Sequence, residues 1–143
     1  MKKLLAAVVL IPVLTFVCIL IVAPIVNDSI SGSTAKELAA RPLPENTELI
    51  ESVSKAGKLV GCGNGMQYFG AILIKSGLSL TELREYYNSF AGSGREYIVE
   101  NQSAGDIKVI EHALISFKTD IDGDNYYIVY TWGDNQTIFH EFD

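Results

Sequence analysis

The chain has 143 residues and a net charge of −6 at neutral pH, and this length favours one folded domain rather than two. Residues 1–44 carry four basic and two acidic side chains, whereas residues 45–143 carry seven basic and fifteen acidic ones. An acidic domain repels nucleic-acid phosphates and anionic lipid headgroups, which argues against nucleic-acid binding and predicts a domain that stands clear of a bilayer.

An uncharged apolar segment runs from Leu4 to Val26. A helix of this length spans about 34 Å, enough to cross a hydrocarbon core of about 30 Å. Secretory signal peptides have shorter apolar regions followed by a small-x-small cleavage site, and the nearest such site here, Ser33-Thr34-Ala35, lies well beyond Val26. Residues 1–26 are therefore predicted to form an uncleaved transmembrane signal-anchor, with a cleaved signal peptide as the alternative.

Two further features of this segment predict its environment. Lys2, Lys3 and the N-terminal amine favour a cytoplasmic N-terminus, which places the C-terminal domain outside the cytoplasm. Cys18 lies in the apolar segment and Cys62 lies in the domain, so the two cysteines are not expected to pair and the domain has no internal disulfide.

The region after the anchor is polar and rich in turn-forming residues. Residues 27–46 are predicted to form a stalk, with a short helix over 33–40 that is stopped by Pro42 and Pro44. The folded domain is predicted to occupy residues 47–143.

The domain contains six segments with the pattern of a β-strand, and residues 102–112 fit either a strand or a helical turn. The predicted strands are Thr47–Ser54, Met66–Lys75, Glu96–Asn101, Ala113–Ile121, Asn125–Trp132 and Thr137–Phe142. Asp122-Gly123 is a hairpin turn signal between the fourth and fifth of them.

One helix is predicted between the second and third strands. Ser79 and Glu82 have the spacing of a capping box, and Leu83, Tyr87 and Phe90 follow on one helical face. Gly92 and Gly94 are expected to close this helix. The order β-β-α-β-β-β(-β) predicts the α+β class: an antiparallel sheet of about five to six strands with one packed helix.

Three aspartates at alternate positions, Asp120, Asp122 and Asp124, are the only metal-site candidate that the sequence offers. They resemble the start of a calcium loop, but position 6 of an EF-hand would be Asn125 rather than Gly. A solvated hairpin turn is the favoured interpretation, and calcium is the alternative.

Cys62 is the only thiol in the predicted domain and lies in the glycine-rich stretch Gly61–Gly65. A catalytic cysteine needs a neighbouring base, and the sequence places neither His112 nor His140 beside it. Positive backbone φ angles in a tight connection explain these glycines better than a nucleotide-binding motif does.

Aromatic side chains are concentrated in the predicted strand Asn125–Trp132. Alternation places Tyr126, Ile128, Tyr130 and Trp132 on one face, and Tyr127, Val129 and Thr131 on the other. If one face stays open, Tyr126, Tyr130 and Trp132 form a binding surface; the favoured alternative is that both faces are covered.

The stretch LPENTELIESVSKAGKLVGCGNGMQYFGAILIKSGLSLTELREYYNSF resembles small, functionally uncharacterised bacterial envelope proteins that carry an N-terminal anchor or a lipoprotein signal. Over roughly residues 42–101 the shared features are a P-x-x-T/S-E-L-I opening, a glycine-containing loop, an apolar strand and an L-S-x-x-E-L-x-x-Y-Y helix. The resemblance implies an extracytoplasmic α+β domain and supplies no catalytic residues. Val17 precedes Cys18, so a lipobox is missing and a transmembrane anchor is favoured.

The sequence contains no recognisable cofactor motif or catalytic constellation, and no cofactor is expected. The leading hypothesis is a non-enzymatic, single-pass envelope module that contacts the bilayer through residues 4–26 and binds a protein or another envelope component. One alternative is a small hydrolase or redox protein that uses Cys62 or the acidic hairpin. Another is an accessory subunit of a membrane complex that acts through its transmembrane helix.

Overall fold

The computed structural model describes residues 2–63, 65–92 and 95–133. In chain order these residues form helix α1 (Lys2–Ala39), strands β1 (Thr47–Gly57) and β2 (Gln67–Ser76), helix α2 (Leu80–Asn88), and strands β3 (Ile98–Asn101) and β4 (Tyr126–Gly133). The strands form one antiparallel sheet in the order β1-β2-β4-β3. The α+β class is as predicted, but the described residues contain four strands rather than five to six.

Each of the four strands overlaps a strand predicted from the sequence, whereas the predicted strand Ala113–Ile121 does not form. Only an isolated bridge between Asp106 and Ser116 pairs this part of the backbone. Its alternation has another cause: Ile115, Phe117 and Ile121 pack against the apolar face of the sheet, in an irregular segment that lies across that face.

Two further predictions concern the segments on either side of the predicted strand Ala113–Ile121. The Asp122-Gly123 turn is present as a bend with a positive φ of 112° at Gly123, but it does not join two strands. Residues 102–112 form neither a strand nor a helix apart from the bridge residue Asp106. The predicted strand Thr137–Phe142, with His140, lies outside the described residues.

Helix α2 begins as the sequence predicts. The Ser79 hydroxyl accepts a hydrogen bond from the Glu82 N–H (3.3 Å), and the Glu82 carboxylate accepts one from the Ser79 N–H (2.8 Å). The hydrogen bonds from the Ser79 hydroxyl and N–H lower the pKa of Glu82. Leu83 and Tyr87 are buried, and the helix ends at Asn88.

Helix α1 continues without a break across the predicted boundary at Val26. The buried residues of its second half recur every three or four positions, which places them on one helical face. They are Ala23, Asn27, Ser31, Thr34, Ala35 and Leu38. Residues 27–39, predicted as part of a stalk, are thus the helical cover of one face of the sheet.

A glycine in β2 allows this helix to lie directly on the sheet. A Cβ atom added at Gly70 would come within 2.6 Å of the Ala35 backbone nitrogen and 2.9 Å of the Thr34 carbonyl carbon. At Gly133 of β4, an added Cβ would approach the Thr34 hydroxyl oxygen to 2.7 Å. A larger residue at Gly70 would therefore push the backbone of α1 away from the sheet, whereas one at Gly133 would displace the Thr34 hydroxyl.

The segment after α1 is also held against the domain. The Arg41 guanidinium lies over the rings of Phe90 and Tyr97, with its carbon 5.6 and 5.8 Å from the two centroids. It donates a hydrogen bond to the Tyr97 hydroxyl (3.1 Å), and the Tyr86 hydroxyl donates one to the Pro42 carbonyl (2.9 Å). These contacts tie the chain between α1 and β1 to α2 and β3.

The sheet has an apolar core on each face. Leu38 of α1 and Leu83 and Tyr87 of α2 pack on one face, against Ile72 and Val129 among others. On the opposite face, Ile107, Ile110 and Phe117 from the segment 102–125 pack against side chains such as Phe69, Leu73 and Ile128. The sheet is therefore the middle of three layers.

The register defines two ends of the sheet. At the end that we call proximal, Gly57 of β1 pairs with Gln67 of β2, and Tyr68 pairs with Gly133 of β4. At the distal end, Thr47 pairs with Ser76 and Lys75 pairs with Tyr126. The Tyr68 hydroxyl donates a hydrogen bond to the Asn27 side chain (3.0 Å), so the apolar first half of α1 extends beyond the proximal end.

We predict that Gly70→Ala destabilises the protein by about 1–3 kcal/mol, because the new methyl group displaces the helix backbone at Thr34 and Ala35. The measurement is the free energy of unfolding by urea, with the full chain in detergent micelles. Gly63→Ala is the matched control, since an added Cβ there meets nothing within 4 Å. Equal stabilities of the two variants would contradict the close packing of α1 on β2.

Candidate functional site

The loop that joins β1 to β2 at the proximal end is fixed by side chains from two directions. Gln67 holds its first part: its side-chain oxygen accepts hydrogen bonds from the N–H groups of Leu59 and Val60 (2.8 Å each). Its side-chain nitrogen donates to the Val60 carbonyl (3.2 Å). One glutamine side chain therefore closes the start of this loop.

The covering segment 102–125 holds the middle of the same loop. The Leu59 carbonyl accepts hydrogen bonds from the N–H groups of Glu111 (2.8 Å) and His112 (3.1 Å). The Glu111 carboxylate accepts a hydrogen bond from the Gly61 N–H (3.0 Å), and the His112 Nε2 lies 2.9 Å from the Gly61 carbonyl. Gly61 has a positive φ of 68°, which glycine adopts without strain.

Cys62 is exposed at the tip of this loop, and its thiol is free. The His112 side chain lies beside this loop, but its Nε2 faces the carbonyl of Gly61. A carbonyl oxygen only accepts hydrogen bonds, so this nitrogen carries the hydrogen and does not take a proton from the thiol. The arrangement fixes the loop, and among the described residues no hydrogen bond joins the Cys62 thiol to the imidazole.

Trp132 lies at the same end of the sheet. It is partly buried, and its ring packs on Phe69 with 5.2 Å between centroids. Phe69 pairs with Trp132 on one side and with the exposed Lys55 of β1 on the other. Lys55, Phe69 and Trp132 therefore form a cross-strand row on one face at the proximal end.

The surface predicted from Tyr126, Tyr130 and Trp132 is only partly open. All three residues belong to the face that was predicted, and the other strand face carries Tyr127 and Val129. Tyr130 is 4% exposed, so it does not present a binding surface. Its burial, together with the negative charge of Glu100, raises the pKa of the hydroxyl to about 12.

Tyr126 and Trp132 remain partly exposed, but at opposite ends of β4. Lys75 lies over the Tyr126 ring at the distal end, 5.1 Å from its centroid. The covering segment 102–125 separates the two rings, because it packs on the middle of the face around Ile128 and Tyr130. Tyr126, Tyr130 and Trp132 therefore do not form one continuous open surface, in keeping with the favoured interpretation that both faces of this strand are covered.

Glu51 of β1 fixes the covering segment to the sheet. Its carboxylate accepts hydrogen bonds from the N–H groups of Lys118 (2.9 Å) and Thr119 (3.0 Å), and from the Thr119 hydroxyl (2.9 Å). Partial burial opposes ionisation of this group, but the donated hydrogen bonds outweigh it and lower the pKa of Glu51.

The aspartates proposed as a calcium site are exposed at the distal end. Across residues 2–63, 65–92 and 95–133, the structure contains no group of three or more His, Cys, Asp or Glu side chains arranged to hold a metal ion. Asp120, Asp122 and Asp124 are therefore not brought together as ligands. Cys62, Glu111 and His112 do not form such a group either.

Sequence reasoning missed the residues that join α1 to the sheet. Asn27 is 1% exposed and accepts the Tyr68 hydroxyl, and Gly70 permits the contact with Thr34. The sequence did contain a signal for this contact. Small residues recur every three or four positions, as on one face of a helix, in a segment whose composition resembles that of a linker.

The comparisons with known proteins leave the family open. No family model, curated protein or solved structure matches this chain. Within the described residues, one helix is long and apolar enough to cross a membrane, and a signal sequence would have the same character.

We predict that Glu51→Gln destabilises the protein by about 1 kcal/mol at neutral pH, because the neutral amide is a weaker acceptor for the covering segment. The folded-state pKa lies below the usual 4.5, so the carboxylate contributes fully above pH 4.5 and loses its contribution as the pH falls through the lowered value. The difference in unfolding free energy from the parent protein should therefore shrink on acidification. The exposed Glu48→Gln is the control on the same strand, and a difference that persists unchanged at low pH would refute this role of Glu51.

Proposed function

We propose that this protein is a single-pass, membrane-tethered module that holds a small α+β domain in a fixed orientation at the membrane surface, where it binds an envelope protein or another envelope component. The observation that carries the proposal is the continuity of α1, which extends from Lys2 to Ala39. Its first half is apolar and exposed from Leu10 to Val22 apart from the partly buried Ile19, and its second half is part of the domain core.

The length of the free helix fits a bilayer. Full burial within the protein begins at Ala23, so the side chains described from Leu10 to Val22 are open to lipid, and the uncharged segment that contains them begins at Leu4. At 1.5 Å per residue this helix spans about 28 Å, close to the thickness of a hydrocarbon core. Lys2 and Lys3 precede it, and the positive-inside tendency favours a cytoplasmic N-terminus and an extracytoplasmic domain.

A domain whose core includes part of its own anchor helix has a fixed orientation relative to that helix, whereas a domain on a flexible linker does not. Arg41 and Pro42 extend the attachment beyond the helix, because they contact Tyr97 and Tyr86. The domain therefore keeps one end towards the membrane and the other away from it. The distal end is the surface offered to a partner, and its exposed acidic residues favour a basic one. They are Glu45, Glu48, Asp120, Asp122 and Asp124.

The geometry favours binding over catalysis. The Nε2 of His112 is held by the Gly61 carbonyl, and the aspartates of the distal end are spread over an exposed bend. The accessory-subunit alternative is favoured by the same continuity of α1, because a tilt of the span would move the whole domain. In that case the partner is another membrane helix, and a movement of that helix would change the position of the domain.

We expect a cysteine at position 122 to react with a membrane-impermeant maleimide in intact spheroplasts, because the distal end faces away from the cytoplasm. The variant is Asp122→Cys in a background of Cys18→Ser and Cys62→Ser. Lys3→Cys in the same background is the matched control on the other side of the span, and it should react only after lysis. The labelled protein should keep the full mass of 15.6 kDa.

The other outcomes each exclude part of the proposal. Reaction of the Lys3→Cys variant alone would show the reverse orientation. A labelled protein that has lost the mass of the apolar segment would show a cleaved signal sequence, and the tethered module would then be excluded.

A further inference from the structure

We propose that the outer edge of β1 is the docking site for an extended segment of a partner protein, and that this segment rises from the same membrane and pairs antiparallel with β1. The inference rests on the proposed function, because it takes the orientation of the domain from the tether. It deepens that function by naming the form in which the partner is bound, which is a strand added to the sheet.

The two outer strands of the sheet differ in how well they are protected. β3 is four residues long, and the Arg84 Nε of α2 donates a hydrogen bond to the Val99 carbonyl (3.0 Å). A short outer strand that is contacted by a neighbouring element resists the addition of another strand. β1 has eleven residues, and within the part of the chain that the structure describes, no strand and no main-chain hydrogen bond reaches its outer side.

The regular part of the β1 edge comprises residues 51–57. A bulge between Leu49 and Glu51 interrupts the pairing with β2, and the register is unbroken from there to Gly57. In an antiparallel ladder, alternate residues direct their N–H and C=O groups away from the neighbouring strand. These groups are the ones that an added strand would pair with.

The tether decides the direction of the added segment. α1 leaves the membrane at the proximal end, where Asn27 accepts the Tyr68 hydroxyl, and β1 returns from Thr47 at the distal end to Gly57 at the proximal end. β1 therefore runs towards the membrane. A segment that rises from the same membrane runs antiparallel to it without any turn.

The same geometry excludes a second copy of this chain as the occupant. Two identical strand edges pair symmetrically only when they are antiparallel, about a two-fold axis perpendicular to the sheet. That rotation would invert one domain and place its transmembrane helix at the distal end of the other. Two copies in one membrane cannot meet in this way, so the occupant is a segment of another protein.

The side chains along the edge specify the chemistry of that segment. Val53 and Lys55 lie on the face of the sheet that carries Phe69, where Val53 is half-buried and Lys55 is exposed. Favourable cross-strand neighbours are an apolar residue beside Val53 and an acidic one beside Lys55. A rising segment passes Lys55 first, so its acidic residue precedes its apolar residue by two positions. Farther from the membrane it reaches the exposed Glu48, which favours a basic residue.

The experiment uses the full chain, expressed in its native host, with the exposed Ser52 of β1 replaced by photoreactive p-benzoylphenylalanine. After irradiation, the adduct is purified from membranes and the cross-linked peptide is sequenced. We expect one discrete adduct, in which the peptide directly follows a transmembrane segment of another protein and carries the acidic-x-apolar pattern. The matched control carries the same photoreactive residue at Asn101, which is exposed on β3, and it should not give this adduct.

Charge reversal tests the alignment along β1. Lys55→Glu should lower the yield of the Ser52 adduct about fivefold, because repulsion replaces attraction at the acidic residue of the segment. Lys108→Glu makes the same change of charge at an exposed position of the covering segment, and its yield should equal that of the parent. Equal yields from the two variants would overturn the proposed alignment.

The remaining outcomes separate this inference from the tether. A chain that does not float with membranes would contradict the tether itself. A chain in the membrane whose Ser52 position gives no adduct, or adducts unrelated to a transmembrane segment, would overturn strand addition alone. In the purified chain in nanodiscs, about half of the amides of residues 51–57 should exchange rapidly with deuterium. Protection of all of them would show that the edge is covered within the chain, and it would also overturn the inference.

Discussion

The structure depends on the contact between the backbone of α1 and the glycine of β2. At Gly70 the sheet has no side chain, and the helix backbone at Thr34 and Ala35 occupies the space that a Cβ atom would take. Because this contact is between backbones, it sets the distance between the two layers and leaves little freedom for the helix to tilt. The position of the apolar half of α1 relative to the domain follows from this contact, and so does the direction in which that half leaves the sheet.

The second half of α1 can be buried against the sheet because its polar groups are satisfied within the protein. Ser31 and Thr34 donate hydrogen bonds to the carbonyls of Asp28 and Ile30 in the preceding turn, and Asn27 accepts the Tyr68 hydroxyl. These buried groups therefore do not carry the cost of unpaired polar atoms. Their small size also allows the close approach to Gly70 and Gly133. In the apolar half, the Thr15 hydroxyl donates to the Ile11 carbonyl in the same way (2.9 Å), and the side chains from Leu10 to Val22 are exposed apart from the partly buried Ile19.

Local signals predicted the regular elements well. The capping box of Ser79 and Glu82 located the start of α2, and the apolar run from Met66 to Lys75 located β2 within one residue at each end. Alternation correctly divided the side chains of β4 between two faces. These features depend on neighbours in the sequence, so a short window contains the information that specifies them.

The remaining features depend on tertiary contacts that no local pattern contains. Ser, Gly and Asn after Val26 favour loops by intrinsic preference, and only the sheet beneath them makes a helix the better solution. The alternation of Ile115, Phe117 and Ile121 indicated one buried face correctly but did not show whether a neighbouring strand would pair with the backbone. The burial of Tyr130 in the candidate site could not be predicted for the same reason. The segment 102–125 covers Tyr130, and it is held in place by Glu51, which lies about 70 positions earlier in the sequence.

The most direct test of the rigid junction is hydrogen–deuterium exchange of the full chain in lipid nanodiscs, followed at the amides of residues 27–38. An element of the core exchanges only when the domain opens, whereas a solvated linker exchanges freely. The account predicts that these amides are protected to the same degree as those of β2. Rapid exchange of residues 27–38 in a protein whose β2 amides remain protected would show that a flexible stalk joins the anchor to the domain, and it would contradict the account.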